Sequence, residues 1–134
     1  PDGAVDLDRF RALCRHLVDN GSDGVVVAGT TGEAPTLADD ERLALFEAAV
    51  DELGGHHTVL AGTGTYATAH SVHLTARAHE LGVDGFLVVT PYYNKPPQRG
   101  IVAHVSIADP FCSDLSSLVA GVASIGGLPV NASK

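Results

Sequence analysis

The sequence predicts an α/β fold with a parallel sheet, on three observations. Short apolar runs, "GVVVAG" at 24–29, "TVLAG" at 58–62 and "GFLVVT" at 85–90, are continuous rather than alternating, as expected of strands buried on both faces. Segments whose apolar residues recur at helical spacing separate them. An internal echo, "GSDGVVVAGT" at 21–30 and "GVDGFLVVTP" at 82–91, recurs 61 residues apart with one strand between, so each βα unit takes about 30 residues. Repeats of that length suit either a (β/α)8 barrel or a doubly wound sheet. A complete barrel needs roughly 250 residues. The 134 residues here leave room for about half of one.

From Asp6, the apolar residues Leu7, Phe10, Leu13, Cys14, Leu17 and Val18 trace a helical stripe that Asn20–Gly21 ends. A second helix is expected from Thr36, where "TLAD" resembles a Ser/Thr-x-x-acid start signal. Its stripe is Leu43, Phe46, Val50 and Leu53, and Gly54–Gly55 closes it. The third runs from Thr68 to Leu81, with Gly82 as its stop. After about residue 105 the chain turns Ser-, Ala- and Gly-rich. A helix with Phe111, Leu115, Leu118, Val119 and Val122 on one face is expected there, and Pro129 weakens a last strand. Residues 1–105 therefore read as a half-barrel, and 106–134 as a divergent, helical tail rather than a separate domain.

Composition narrows the class. With 45% hydrophobic and 18% charged residues, a packed core is expected. A net charge of -8, from 16 acidic and 8 basic residues, argues against nucleic acid or an anionic membrane surface as partner. Two cysteines, Cys14 and Cys112, far apart in sequence, fit neither a disulfide framework nor a zinc spacing, so a reducing cytoplasm is the expected setting, with Cys14 a small core residue. No apolar run approaches about 18 residues, so no transmembrane helix is expected. The chain starts at Pro1, so its natural N-terminus is expected upstream.

The chemistry-bearing stretches lie after the strands, where α/β folds place their sites. In Gly29-Thr30-Thr31-Gly32-Glu33, the glycines leave N–H groups open beside two hydroxyls. That set suits either a capped turn or a neutral cradle for a carboxylate, able also to pass a proton. No Lys follows, which excludes a P-loop. In "TPYYNKPPQRG" (90–100), Tyr92 or Tyr93 suits a proton donor, a stacking surface, an interface anchor or simple loop packing. Lys95 and Arg99 read as solvated loop charges. The glycines and threonines of "GTGTYATAHS" (62–71) read as N-capping groups, and the stretch lacks the full G-x-G-x-x-G pattern. His70 and His73, three apart, and the pair His56–His57 read as surface histidines, so no metal site is expected.

Together, "GTTGEAPTL", "AGTGTYATAHS" and "DGFLVVTPYYNKPPQRG" resemble, in order and spacing, the dihydrodipicolinate synthase family of class I pyruvate-dependent aldolases, over about residues 1–105. The resemblance implies a partial (β/α)8 barrel, about its second to fourth βα units. It implies a lyase that condenses pyruvate with aspartate semialdehyde in lysine biosynthesis, through diaminopimelate, in the cytoplasm and without a cofactor. Thr30 and Tyr93 would relay protons, and Thr31 beside Gly32 would hold the pyruvate carboxylate. The tyrosine would reach a neighbouring subunit's site, which makes a tight dimer or homotetramer part of the expectation. The family's second catalytic Tyr, its following Arg and its Schiff-base Lys find no match: beyond about residue 105 there is no Tyr, no Arg and only Lys134. This chain alone is therefore expected to be inactive. The alternatives are a sugar-acid aldolase of the same superfamily and a non-catalytic half-barrel that self-associates through open strand edges.

Overall fold

The computed structural model describes residues 3–108. Helices and strands alternate in the order α1 (Leu7–Asp19), β1 (Gly24–Val27), α2 (Asp39–Leu53), β2 (Thr58–Gly62), α3 (Thr68–Glu80), β3 (Gly85–Leu87) and α4 (Gln98–Ala108). The expected tail helix, Cys112 and Lys134 lie outside the described residues.

The strands pair in parallel in the order β1-β2-β3, with Val26 opposite Leu60 and Leu60 opposite Gly85. Alternate residues point to opposite faces. Val27, Val59 and Ala61 face the helices and are buried with Phe46, Ala49 and Leu53 of α2; Val25 and Phe86 pack against the same cluster. The opposite face carries Val26, which stays 51% exposed. The sheet is thus covered on one face by the described elements, not on both.

Local chemistry sets the boundaries. Asp6 caps α1 by accepting from the Arg9 N–H at 3.0 Å, and Gly21 follows the helix with a φ of 99°. Of the α1 stripe, Leu7, Phe10, Cys14 and Val18 turn inward, whereas Leu13 and Leu17 are exposed. Arg11 fastens α1 to α2 by donating to the Ala48 carbonyl (3.0 Å) and the Asp51 carboxylate (3.2 Å). Burial, then the neighbouring Glu52 carboxylate, pushes the Cys14 thiol above its ordinary value, in keeping with a core role.

Three boundaries differ from the sequence reading. The "GVVVAG" strand stops at Val27 because Ala28 turns into the left-handed region, at a φ of 53°. The third strand stops at Leu87 rather than residue 90: beyond Gly62 the second strand bends, and the Thr63 and Gly64 N–H groups both donate to the Leu87 carbonyl. Helix α2 begins at Asp39, not Thr36. The Thr36 hydroxyl donates to the Glu33 carbonyl instead, and the Glu41 carboxylate accepts from the Ala38 N–H at 2.8 Å, supplying the only side-chain cap that an Ala N-cap permits.

Candidate functional site

At the end of β1 the chain makes two successive 3-10 turns, Thr30–Gly32 and Ala34–Thr36, hinged on Glu33 at a φ of 54°. Four backbone bonds close them: Gly32 N–H to Gly29 O, Glu33 N–H to Thr30 O, Thr36 N–H to Glu33 O and Leu37 N–H to Ala34 O. Left-handed geometry at Ala28 and Glu33 costs each residue on the order of 1 kcal/mol, a cost characteristic of segments whose shape serves a site.

These turns form one wall of a pocket of about 240 Å³, which Ala28, Gly29 and Thr30 line from the first strand end. Gly62 and Gly64 form its floor, and Leu87, Val89 and Tyr92 the far wall. The glycines are required by close approach: a Cβ on Gly62 would lie 2.1 Å from the Ala28 carbonyl oxygen, and one on Gly64 2.2 Å from the Val89 nitrogen. The pocket therefore sits at the C-terminal ends of three parallel strands, its walls joined by glycine backbone.

Of the residues singled out in the sequence, Thr30 lines the pocket. Thr31 and Gly32 are exposed on the same turn and are not among the lining residues. Tyr93 takes a φ of 70°, is 97% exposed and does not line the pocket. The neighbouring Tyr92 does, and it packs edge-on against Tyr66 with ring centroids 5.8 Å apart. The structure thus does not bring Thr30 and Tyr93 together around the pocket of a single chain.

The "GTGTYATAHS" hydroxyls do not cap α3, whose N-cap is Ala67 without a side-chain bond. They tie the loop to itself and to the helix instead. Thr65 donates to the Ala67 carbonyl, Ser71 Oγ accepts from the Thr65 N–H, and Thr75 donates to Thr63 Oγ1, each within 2.8–2.9 Å. His70 pairs through Nε2 with the Asp39 carboxylate at 2.8 Å, joining α3 to the start of α2. His104 is buried, with Nδ1 2.8 Å from the Thr68 hydroxyl. Burial lowers its pKa below the ordinary 6.5, against the opposing pull of the adjacent Val89 carbonyl. No group of three or more His, Cys, Asp or Glu placed to hold a metal ion occurs among the described residues.

One residue at the pocket escaped the sequence reading. Arg42, on α2, is only 5% exposed and lines the pocket, with Nη2 donating to the Ala34 carbonyl. The signal was present: Arg42 lies three, four, seven and eleven positions before the buried Leu45, Phe46, Ala49 and Leu53, on the inward stripe of its helix.

A model of the dihydrodipicolinate synthetase family matches residues 1–125, further than the stretch of about 1–105 that the sequence resemblance covers. The 4-hydroxy-tetrahydrodipicolinate synthase of Desulforamulus reducens is 48% identical over 131 residues, covering 97% of this chain and 44% of that protein. The synthase of Symbiobacterium thermophilum is 56% identical over 104 residues, 78% of this chain and 36% of that one. Among solved structures, dihydrodipicolinate synthase from Aquifex aeolicus superposes with a TM-score of 0.79 at 47% identity, over 84% of this chain and 39% of the other. That from Bacillus anthracis gives 0.79 at 41%, over 81% and 37%. The chain spans less than half the length of these relatives. The described residues are part of a (β/α)8 barrel, and three strands of eight agree with the 37–39% of each barrel covered.

Proposed function

We propose, from the premise that the chain belongs to the dihydrodipicolinate synthetase family, that it carries the pyruvate side of a lyase site that condenses pyruvate with aspartate semialdehyde in lysine biosynthesis. The observation that carries this reading is Thr30 in the wall of a pocket at the ends of three parallel strands. In it, the Thr31 hydroxyl and the Gly32 turn hold the pyruvate carboxylate, while Thr30 passes a proton. Hydroxyls suit both tasks, because they donate and accept without a fixed charge. Tyr93 completes the relay in a second subunit. Its near-complete exposure at the tip of its loop supports that role, and with it a tight dimer as the working unit.

A Schiff-base lysine has to be held in a desolvated site against the bound ketone. Lys95, the one lysine among the described residues, is exposed on the loop after Tyr93, and Lys134 lies outside them. We therefore propose that the 134-residue chain binds pyruvate without forming the imine, as a piece of the lyase lacking its nucleophile. The test is titration with labelled pyruvate followed by borohydride. Saturable binding with no reduced adduct is expected; an adduct on Lys95 or Lys134 overturns the inactivity, and absence of binding overturns the pyruvate reading.

A self-associating module is the second reading, favoured by Val26 on the uncovered sheet face. Light scattering separates the two: oligomers indifferent to pyruvate support assembly alone.

A further inference from the structure

Arg42 presents an electrostatic problem. Its guanidinium cannot lose its proton, yet it is buried in the first turn of α2, where the positive end of the helix dipole disfavours a cation. Only Nη2 has a partner, the neutral Ala34 carbonyl, while Nε and Nη1 are buried with none among the described residues. The acids beside it in sequence are turned to other tasks. Asp39 pairs with His70, Glu41 caps the Ala38 N–H, and Asp40 is exposed. No described carboxylate forms an ion pair with Arg42.

A buried charge without a counter-ion is costly, and an anion entering the same low-dielectric space relieves that cost. The space is at hand, since Arg42 lines the pocket beside Gly29 and Thr30. Threonine hydroxyls and turn N–H groups bind a carboxylate and an amide oxygen by the same geometry, and so discriminate weakly between them. A fixed positive charge discriminates strongly.

We propose that Arg42 is a specificity-determining residue of this pocket: its field selects the carboxylate form of a small α-keto ligand over the neutral amide. The inference rests on the pyruvate reading above and deepens it. Arg42 acts without taking part in the reaction, from a position fixed by its bond to Ala34.

The experiment measures binding of pyruvate and of pyruvamide to the full chain, by calorimetry or ligand-observed NMR, with thermal melts alongside. The unsubstituted chain is expected to bind pyruvate at least about tenfold more tightly than pyruvamide, the scale of a partly desolvated charge pair. Arg42→Met is expected to abolish that ratio, and Arg42→Lys, which keeps the charge, to preserve most of it. A purely structural Arg42 would instead weaken both ligands together in Arg42→Met and leave their ratio intact, which overturns the inference. Equal binding of the two ligands to the unsubstituted chain overturns it while sparing the pyruvate reading; binding of neither overturns both. Should Arg42→Met not fold, Arg42→Gln, which keeps a polar group without the charge, takes its place: a lost ratio supports the inference and an intact one overturns it.

Discussion

The pocket is flanked by two connections built on opposite terms. The first, residues 28–37, is closed by four backbone bonds, the Thr36 hydroxyl and the buried guanidinium of Arg42. The second, residues 88–97, also holds two non-glycine residues at positive φ, Tyr93 and Lys95. It is anchored mainly at its ends, by buried Val88 and by the Pro97 carbonyl, which accepts from Gly100 and Ile101, with the edge contact of Tyr92 on Tyr66 between them. Both hold non-glycine residues in the left-handed region, and the first is closed by bonds within the chain. The second leaves its most exposed ring, Tyr93, with nothing to pack on. The contrast teaches that the connection carrying Thr30 is held by bonds within the chain, whereas the one carrying Tyr93 leaves that ring in solvent.

The sharpest way to break this contrast is to crowd each connection from beneath. Gly62→Ala drives a methyl into the Ala28 carbonyl, where the bonded turn cannot yield, and is expected to cost about 3 kcal/mol in denaturant unfolding. Gly64→Ala meets the Val89 nitrogen under the looser loop and is expected to cost about 1 kcal/mol. Equal costs would show that the two connections are equally rigid.

Next in size is a change on the first turn itself. Thr31→Val removes one hydroxyl donor from the proposed carboxylate cradle and should weaken pyruvate binding roughly tenfold, about 1.4 kcal/mol, with the melting curve little changed. Unaltered affinity would move the carboxylate off this turn.

Acid should act on the second connection selectively. Because burial depresses the His104 pKa, the folded state keeps that ring neutral while the unfolded chain takes up the proton. The stability this provides is complete above the ordinary value of 6.5 and is lost as pH falls through it towards the folded value. Hydrogen exchange at about pH 7.5 and about pH 5.5 should therefore show faster opening of α4 and the loop beside Val89, with residues 30–36 unaffected, and His104→Gln should flatten the dependence. A uniform response along the chain would refute the assignment.

The smallest effect belongs to Tyr93→Phe. On an exposed ring the substitution should change stability by less than about 0.5 kcal/mol and leave pyruvate affinity of the isolated chain unchanged. Lost affinity would place Tyr93 in its own chain's pocket.

Much of this fold was legible because strands and helices are written in apolar periodicity, which survives without context. Continuous apolar runs located the three described strands, and Gly21 and Gly82 ended their helices where the sequence placed the stops. What was illegible depends on the backbone path. Nothing in the letters marks Ala28 for the left-handed region, so the first strand reads two residues too long. Thr36 has the right identity for a helix cap, but its hydroxyl is taken by Glu33. Adjacent tyrosines are indistinguishable in sequence, and an irregular loop decides that Tyr92 rather than Tyr93 faces the pocket. Arg42 sat on the buried stripe in plain view, its charge masking its position.

The order of the sheet carries a consequence for how this chain is assembled. Spatial order equals chain order, and the pairings Gly24↔Thr58 and Leu60↔Gly85 close loops of 34 and 25 residues. Closure entropy grows only logarithmically, so the two steps differ by about 0.3 kcal/mol. From β2 onward each described strand finds its partner already made when it leaves the ribosome, and each addition presents the same kind of edge to the next. Assembly of the described sheet in chain order is thus two nearly equal steps, each adding one strand to the edge left by the strand before it.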